Sequence, residues 1–466
     1  MVLKFSNLFI IQMVKKQIKK ISSFLWKNKI LILIISLGLF LRLYNLPNSI
    51  SFAWDQERDA FTIKQIIVDK KLTLIGPRVV NDNGFMLGPY FFYILLPFYL
   101  ITNLNPSAII FFVATYSFIF LISSFFILKK IFSQNIAYIF IFIWSVLPLA
   151  ISIDTISWNP LLVPFLFIFL LYLLNTLDFN KIKNWLLLGF YLGFSFNIHV
   201  QLIILSFTAF VFLLIKILKK DFFKNIIFLF IGFITSFLPL LIFDLRHNFL
   251  NLNLFLNFFK SGSSAKNFLA FIPVWTNYFS SLFLIKSQFL SILFWLILAL
   301  ILFFLSKKNN LNKVLFFTWL FFPLIFIFYG KRPSEYYFNF CLPIMVLVFS
   351  QLIIKIKSKI IFIILFLVIF LSICFKIQET NIDSYSLANK IAVIKHISKT
   401  VGNSKFNLSY TVPIGQNSGF SYLLDFYKIK PSGDFKDPLI QIIIPSKKEY
   451  KSFGNISIEF PFPFNQ

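Results

Sequence analysis

The chain has 466 residues, 58% hydrophobic and only 13% charged, with a mean hydropathy of +0.83. Apolar runs of about 20 residues recur along it, the length a helix needs to cross a bilayer core; this excludes an ordinary soluble enzyme and predicts an all-α polytopic membrane protein. The net charge of +27 is not a nucleic-acid signal, because the lysines sit in short clusters between apolar runs, where they set orientation.

Residues 1–29, with Lys15, Lys16, Lys19 and Lys20, read as a basic cytoplasmic N-terminus. No small-residue cleavage pattern follows, so the first span, 30–44, is expected to be an uncleaved signal anchor. The external loop 46–85 comes next and carries Trp54-Asp55-Gln56-Glu57-Arg58-Asp59, three carboxylates and an arginine in five consecutive positions. Acids beside a span are costly unless solvated, paired or used. The bland reading is a helix start, with Asp55 capping the helix that carries Ile63, Ile66 and Ile67. The functional reading is a carboxylate at the membrane surface, acting as general base or metal ligand while a lipid phosphate leaves.

If 85–101 spanned, Lys129-Lys130 would lie outside and every later lysine cluster would fall on the wrong face. Pro89, Pro97 and the break at 103–106 predict instead a segment that dips into the outer leaflet and returns. Spans near 107–128, 135–152, 160–177, 185–198, 200–218, 224–243, 288–305, 313–329, 338–354 and 359–376 then alternate, about 11–13 transmembrane helices in all. Lys129-Lys130, Lys181/Lys183, Lys216/Lys219/Lys220, Lys307-Lys308 and Lys355/Lys357/Lys359 face the cytoplasm. Residues 250–287 form a long external connection with a polar tip at 260–264, and Trp275 and Tyr278 suit the headgroup level. The transmembrane domain takes 30–378. Beyond it, an amphipathic helix over 380–401, a strand over 406–412, a helix over 417–428 and a buried strand over 438–444 predict a small extracytoplasmic α/β domain, 379–466. Cys341 and Cys374 lie inside apolar runs, against a disulfide framework or a cysteine metal site.

An orientation taken from lysine alone gathers the acids and two of the three histidines on the external side. Asp154 ends a span ahead of Trp158-Asn159-Pro160; it reads either as a solvated helix-end acid or as a second carboxylate that orients the acceptor, helps to hold a metal or tunes Asp55. His199 stands between two apolar runs, as hydrogen-bonded structure or as a substrate contact. Arg246 with His247, and Arg332 with Tyr336 and Tyr337, read as headgroup anchors or as a grip on a phosphate, for which a guanidinium fork is suited. His396 reads as ordinary surface. No metal-ligand spacing is present, and the cofactor is left open, with a divalent metal ion at the acids as one option.

The order of these features resembles the GT-C glycosyltransferases of the protein mannosyltransferase and aminoarabinose transferase group. The resemblance rests on Phe52-Ala53-Trp54-Asp55-Gln56-Glu57 after the first span, Leu87-Gly88-Pro89-Tyr90 about thirty residues on, a span ending in Lys129-Lys130-Ile131-Phe132, and Asp154-Thr155 opening the next external turn. It covers roughly residues 30–250, with weaker agreement through Tyr337. The family commonly reads Pro-Pro-Leu with aromatics where this chain has Leu87-Gly88-Pro89-Tyr90. Where some members carry an acidic metal ligand, the neighbourhood is Asn83-Gly84-Phe85-Met86 with Asp82 nearest, so no metal claim carries over.

The resemblance implies transfer of a sugar from a polyprenyl-phosphate donor to a lipid, glycan or protein acceptor, at the outer face of the plasma membrane. Asp55 matches the family's catalytic acid, with Glu57 next to it, and Asp154 matches the second-loop acid. His199, Arg246, Arg332, Tyr336 and Tyr337 are the expected substrate and phosphate contacts. A transporter or flippase of lipid-linked glycans would instead show midplane charges or paired broken helices. A polymerase or ligase of such glycans would rely on external arginines and a histidine. The acid-rich first loop favours the transferase.

Overall fold

Backbone buried in hydrocarbon must satisfy its own hydrogen bonds, which leaves long apolar runs the α-helix as their local solution. The computed structural model describes residues 28–79, 84–217, 222–260, 269–329, 332–356, 386–434 and 436–460. The basic N-terminus, Asp82, Lys219-Lys220, the polar tip beyond Lys260, Lys331, the 359–376 span and Cys374 lie outside those residues.

Helix α1 (Lys29–Leu43) leads through a short turn to α2 (Trp54–Asp69), which carries the acids. Asp55 does not cap α2. The helix starts at Ala53, whose N–H donates to Gln56 Oε1 at 3.0 Å, while Asp55 and Glu57 sit in the first turn, where the positive end of the helix dipole favours them. After a loop comes α3 (Tyr90–Ile101), which contains Pro97. Its 12 residues give about 18 Å of helix, short of the roughly 30 Å of hydrocarbon a straight span must cover.

Next come α4 (Ala108–Ile131), α5 (Gln134–Val146), α6 (Pro148–Asp154), α7 (Val163–Thr176), α8 (Ile182–Ile198), α9 (Ile203–Ile217), α10 (Phe222–Thr235), α11 (Leu238–Arg246) and α12 (Leu250–Lys260). The bundle closes with α13 (Phe271–Phe283), α14 (Gln288–Ser306), α15 (Asn310–Tyr329) and α16 (Cys341–Ile353). Among the described residues, Ala108–Ile131, Asn159–Thr176, Gln288–Ser306 and Asn310–Ile327 are each long and apolar enough to cross a membrane. Two bent pairs raise the number to six: α5 with α6, at 76°, and Asn225–Thr235 with α11, at 61°. Tyr90–Ile101, Val200–Ile215 and Cys341–Ile353 are apolar but shorter.

The α5–α6 bend follows from Pro148, which cannot supply the N–H a continuous helix would need. It brings Asp154 back against α1. Asp154 Oδ2 accepts from Arg42 Nε (2.8 Å), Arg42 Nη2 (2.7 Å) and Trp144 Nε1 (2.8 Å), and both charged side chains are fully buried. The remaining Arg42 N–H groups reach the carbonyls of Gly38, Ser145 and Trp144, so all five guanidinium donors are used. Asp154 is therefore neither a solvated helix end nor an open carboxylate; it is one half of a buried ion pair that ties α1, α5 and α6 together.

Beyond the bundle, α17 (Leu387–Val401) and α18 (Phe420–Phe426) pack with a four-stranded sheet of β1 (Asn407–Thr411), β2 (Leu439–Ile443), β3 (Lys451–Phe453) and β4 (Ile456–Glu459). The order is β1-β2-β4-β3, with β1 and β2 parallel and the other pairs antiparallel. This is the expected α/β region, with a β3–β4 hairpin added to the two strands the sequence predicts. Ser386 bridges to Ser51, and Leu387 N–H donates to the Ile50 carbonyl at 2.9 Å, so the domain is joined to the segment entering α2.

Breaking the Arg42–Asp154 pair strands one buried charge. Arg42→Met is expected to lower the unfolding free energy by roughly 3–5 kcal/mol, seen as a fall in melting temperature in detergent. The double variant Arg42→Met/Asp154→Leu, which leaves no charge behind, should recover most of that loss.

Candidate active site

Five segments converge around Asp55. The first is the opening of α2. Arg58 lies one turn beyond Asp55 and next to Asp59, and its guanidinium spans both: Nη1 donates to Asp55 Oδ1 at 2.7 Å, while Nε and Nη2 donate to Asp59 Oδ1 at 2.9 and 2.6 Å. The two carboxylates differ in environment. The Asp55 side chain is 37% exposed, that of Asp59 only 1%. Burial pushes the Asp59 carboxyl up to about 7, against the pull of Arg58 and helped by the charge of Asp55. Its Oδ2 is buried without a hydrogen-bond partner among the described residues.

The second segment is a small ribbon. Gly76 N–H donates to the Leu87 carbonyl (2.7 Å), Leu87 N–H to the Pro77 carbonyl (2.9 Å) and Val79 N–H to the Phe85 carbonyl (2.8 Å). A Cβ on Gly76 would lie 1.9 Å from the Gly88 carbonyl oxygen, so only glycine lets the strands approach this closely. The ribbon sets Arg78, Val79 and Leu87 at the site. Asn251 pins it by accepting from Met86 N–H (2.6 Å), and Asp244 in turn accepts from Asn251 N–H (2.7 Å).

The third segment is the turn 155–160. Gln56 Nε2 donates to the Ser157 carbonyl (2.8 Å), and Asn159 Nδ2 to the Ile198 carbonyl (2.8 Å), which fixes this turn between α2 and the end of α8. The fourth is His199, buried at the break between α8 and α9; its Nδ1 accepts from Gln201 N–H, and burial lowers its pKa to about 3, leaving it neutral at pH 7. The fifth is the 3-10 turn Glu335–Phe338. Tyr336 meets Trp158 edge-on at 4.7 Å, and His199 stands at 5.6 Å from Tyr336 and 5.4 Å from Tyr337. With its amide oxygen and nitrogen exchanged, Gln201 donates to the Tyr336 and Tyr337 carbonyls. Burial raises both tyrosine pKa values, so their hydroxyls stay protonated.

Between these segments lies a polar cleft of about 390 Å³, lined by Asp55, Arg58, Arg78, Asn159, His199 and the two tyrosines, among others. Beside it, and sharing Leu87, is an apolar groove of about 640 Å³ whose walls include Phe85, Phe196, Phe237, Leu240 and Phe255.

Of the residues singled out in the sequence, Asp55, His199, Tyr336 and Tyr337 are brought together. Glu57 is not in the cleft lining; its Oε1 accepts from the Tyr422 N–H of α18 at 3.0 Å. Asp154 is buried away with Arg42. Arg246 and Arg332 are exposed and line neither cavity. The cationic groups at the cleft are instead Arg58 and Arg78, which sequence reasoning had not assigned to the phosphate. Arg58 was legible one turn beyond Asp55, and Arg78 from its place in the same polar loop. Among the described residues no cluster of three or more His, Cys, Asp or Glu could hold a metal ion. The position between Asp55 and Asp59 is taken by a guanidinium, so these carboxylates do not form a metal cage.

The backbone architecture can be set beside solved structures. ArnT from Cupriavidus metallidurans, in a crystal structure bound to undecaprenyl phosphate, superposes with a TM-score of 0.56 at 9% identity, covering 90% of this chain and 93% of that one. This is a GT-C fold. The archaeal oligosaccharyltransferase AglB from Archaeoglobus fulgidus, in complex with an inhibitory peptide and a dolichol-phosphate, superposes on the same fold with a TM-score of 0.50 at 13% identity, over 94% of this chain and 61% of that one. The profile of the dolichyl-phosphate-mannose-protein mannosyltransferase family matches residues 87–243. No curated protein matches the sequence significantly. The chain is thus a multi-pass membrane protein of GT-C architecture, and the polar cleft lies where the opening of α2 and four further segments meet.

Asp59 makes stability depend on pH. Its pKa is higher in the folded state than the 3.8 of a free carboxyl, so the folded state binds the proton more tightly. The stabilisation is complete below 3.8 and is lost as pH rises through about 7. Denaturation midpoints should therefore fall over that window in the wild type, and Asp59→Asn should flatten the slope.

Proposed function

We propose that this protein is an inverting membrane glycosyltransferase. It moves one sugar from a polyprenyl-phosphate carrier to a hydroxyl or amine of a lipid, glycan or protein acceptor, at the outer face of the plasma membrane. The observation that carries the reading is that a polar cleft holding one half-exposed carboxylate and two arginines, and an apolar groove, share Leu87 in their linings. A carrier with a charged phosphate and an isoprenoid tail needs those two environments side by side. The solved ArnT and AglB structures, bound to undecaprenyl phosphate and to a dolichol-phosphate, favour a ligand of that kind.

In this reading the tail lies along the groove and the phosphate sits near Arg58 and Arg78. The acceptor enters the cleft and Asp55 takes its proton as the nucleophile attacks the anomeric carbon. The bond between that carbon and the phosphate oxygen breaks, its electron pair leaves with the phosphate, and the arginines neutralise the charge that develops. Attack opposite the leaving phosphate inverts the anomeric centre. Arg58 also fixes the direction of Asp55, because one guanidinium edge holds its Oδ1. Tyr336, Tyr337 and neutral His199 face the sugar, and the buried Trp158 indole N–H, which has no hydrogen-bond partner among the described residues, offers it a hydrogen bond. Asp154 takes no part in the chemistry; it supports the bundle.

The test is a transfer assay in membranes supplied with labelled polyprenyl-phosphate sugars. Asp55→Asn should lower kcat by roughly 10²–10⁴-fold while the carrier still binds. Arg78→Ala should weaken the donor, raising its KM, whereas Arg246→Ala should stay near wild type. Full activity in folded Asp55→Asn would remove Asp55 from the role of base. A folded wild-type protein that transfers no sugar from any such donor would end the reading altogether.

A further inference from the structure

The C-terminal domain grips α2 through groups that the proposed chemistry leaves unused. Lys390, on α17, has no exposed surface. Its ammonium donates to the carbonyls of Phe52 (2.8 Å) and Ser418 (2.6 Å) and stands 5.1 Å from the centre of the Phe420 ring. A buried ammonium is expensive unless its hydrogen bonds are met. One of the carbonyls that meets them belongs to Phe52, three residues ahead of Asp55. Gly419 lets the chain come this close: its φ is +89°, and a Cβ there would lie 2.2 Å from the Phe52 oxygen.

On the other side of Asp55 the grip is repeated. Glu57 Oε1 accepts from Tyr422 N–H at 3.0 Å, the Tyr422 hydroxyl donates to the Leu104 carbonyl at 2.7 Å, and its ring packs against Phe52 and Phe61. Lys64 forms an ion pair with Asp425. The domain thus holds the chain on both sides of Asp55, at Phe52 before it and at Glu57 after it, while Gln56 bonds into the bundle at the Ser157 carbonyl.

We propose that the C-terminal domain is a clamp that positions Asp55, with Lys390 and Glu57 as its positioning residues. The clamp fixes the first turn of α2 and so the direction of the Asp55 carboxylate across the cleft; what Asp55 does there rests on the function proposed above. Displacing a reacting group by about 1 Å costs on the order of 10²-fold in rate, so a loosened turn lowers kcat.

Two readouts test this, one of which is independent of sugar transfer. In Lys390→Met, amide exchange over residues 54–58 should quicken, and kcat should fall roughly ten- to hundred-fold. Cysteines at the bridged pair Ser51 and Ser386, introduced into Lys390→Met, should restore kcat when oxidised and lose it again on reduction. Glu57→Gln keeps an acceptor oxygen for Tyr422 and should remain near wild type, whereas Glu57→Leu should fall; this arm stands even if Lys390→Met does not fold. Unchanged exchange and kcat in folded Lys390→Met, or inactivity of Glu57→Gln equal to that of Glu57→Leu, would overturn the clamp. If the wild type transfers no sugar, the function proposed above fails, and amide exchange alone still decides whether the domain holds α2.

Discussion

One guanidinium holds two carboxylates apart at the end of an apolar bundle. Asp55 and Asp59 lie on the same helix one turn apart, and in a low-dielectric surrounding two such charges repel strongly. Arg58 sits between them and bonds to both. Without it, the first turn of α2 would carry two uncompensated like charges. The carboxylates differ in character: burial pushes Asp59 up to about 7 against the pull of Arg58, while Asp55 is half-exposed with one oxygen fixed in direction by the guanidinium. The rest of the site supports that arrangement, Gln56 tying α2 to the 155–160 turn on one side and the C-terminal domain holding it on the other.

The position of the cleft follows from where irregular backbone is tolerated. Non-helical segments at the edge of a bilayer persist only where protein or water satisfies them. Here they satisfy one another: Asn159 bonds the end of α8, Asn251 bonds the ribbon at Met86, and Gln201 serves the backbone of Tyr336 and Tyr337. The segments that cannot be helical are thereby drawn to one place, and their side chains line one cavity. An apolar groove opens beside it because the helices that bring in those segments present Phe196, Phe237 and Leu240 around the break between α10 and α11.

Much of this was legible in the sequence. Apolar run lengths predict the helical bundle, and the change of composition near residue 378 predicts the α/β region. Sidedness read from lysine clusters selects the segments carrying Asp55, His199, Tyr336 and Tyr337, and those four meet. What was not legible depends on distant partners or on helix rotation. Asp154 reads as a span-end acid because Arg42, its partner 112 residues away, is hidden inside the first apolar run. Glu57 reads as the second choice after Asp55, and only the fold shows that Tyr422, 365 residues on, takes its oxygen. Arg246 and Arg332 stand near the right loops, yet the rotation of α11 and the course of the chain before Tyr336 leave them exposed outside the cleft. Arg58 and Arg78 lie in the acidic loop itself, where their charge reads first as a balance to its carboxylates.

The central claim is that the carrier phosphate and Asp55 share the polar cleft, with the isoprenoid tail in the groove beside Leu87. The most direct measurement is an experimental structure of the protein bound to a polyprenyl phosphate. The phosphate is expected within hydrogen-bonding distance of Arg58 and Arg78, with the chain running past Leu87 between Phe196 and Phe237. A phosphate seated at Arg246 or Arg332, or a tail lying on another face of the bundle, would contradict it.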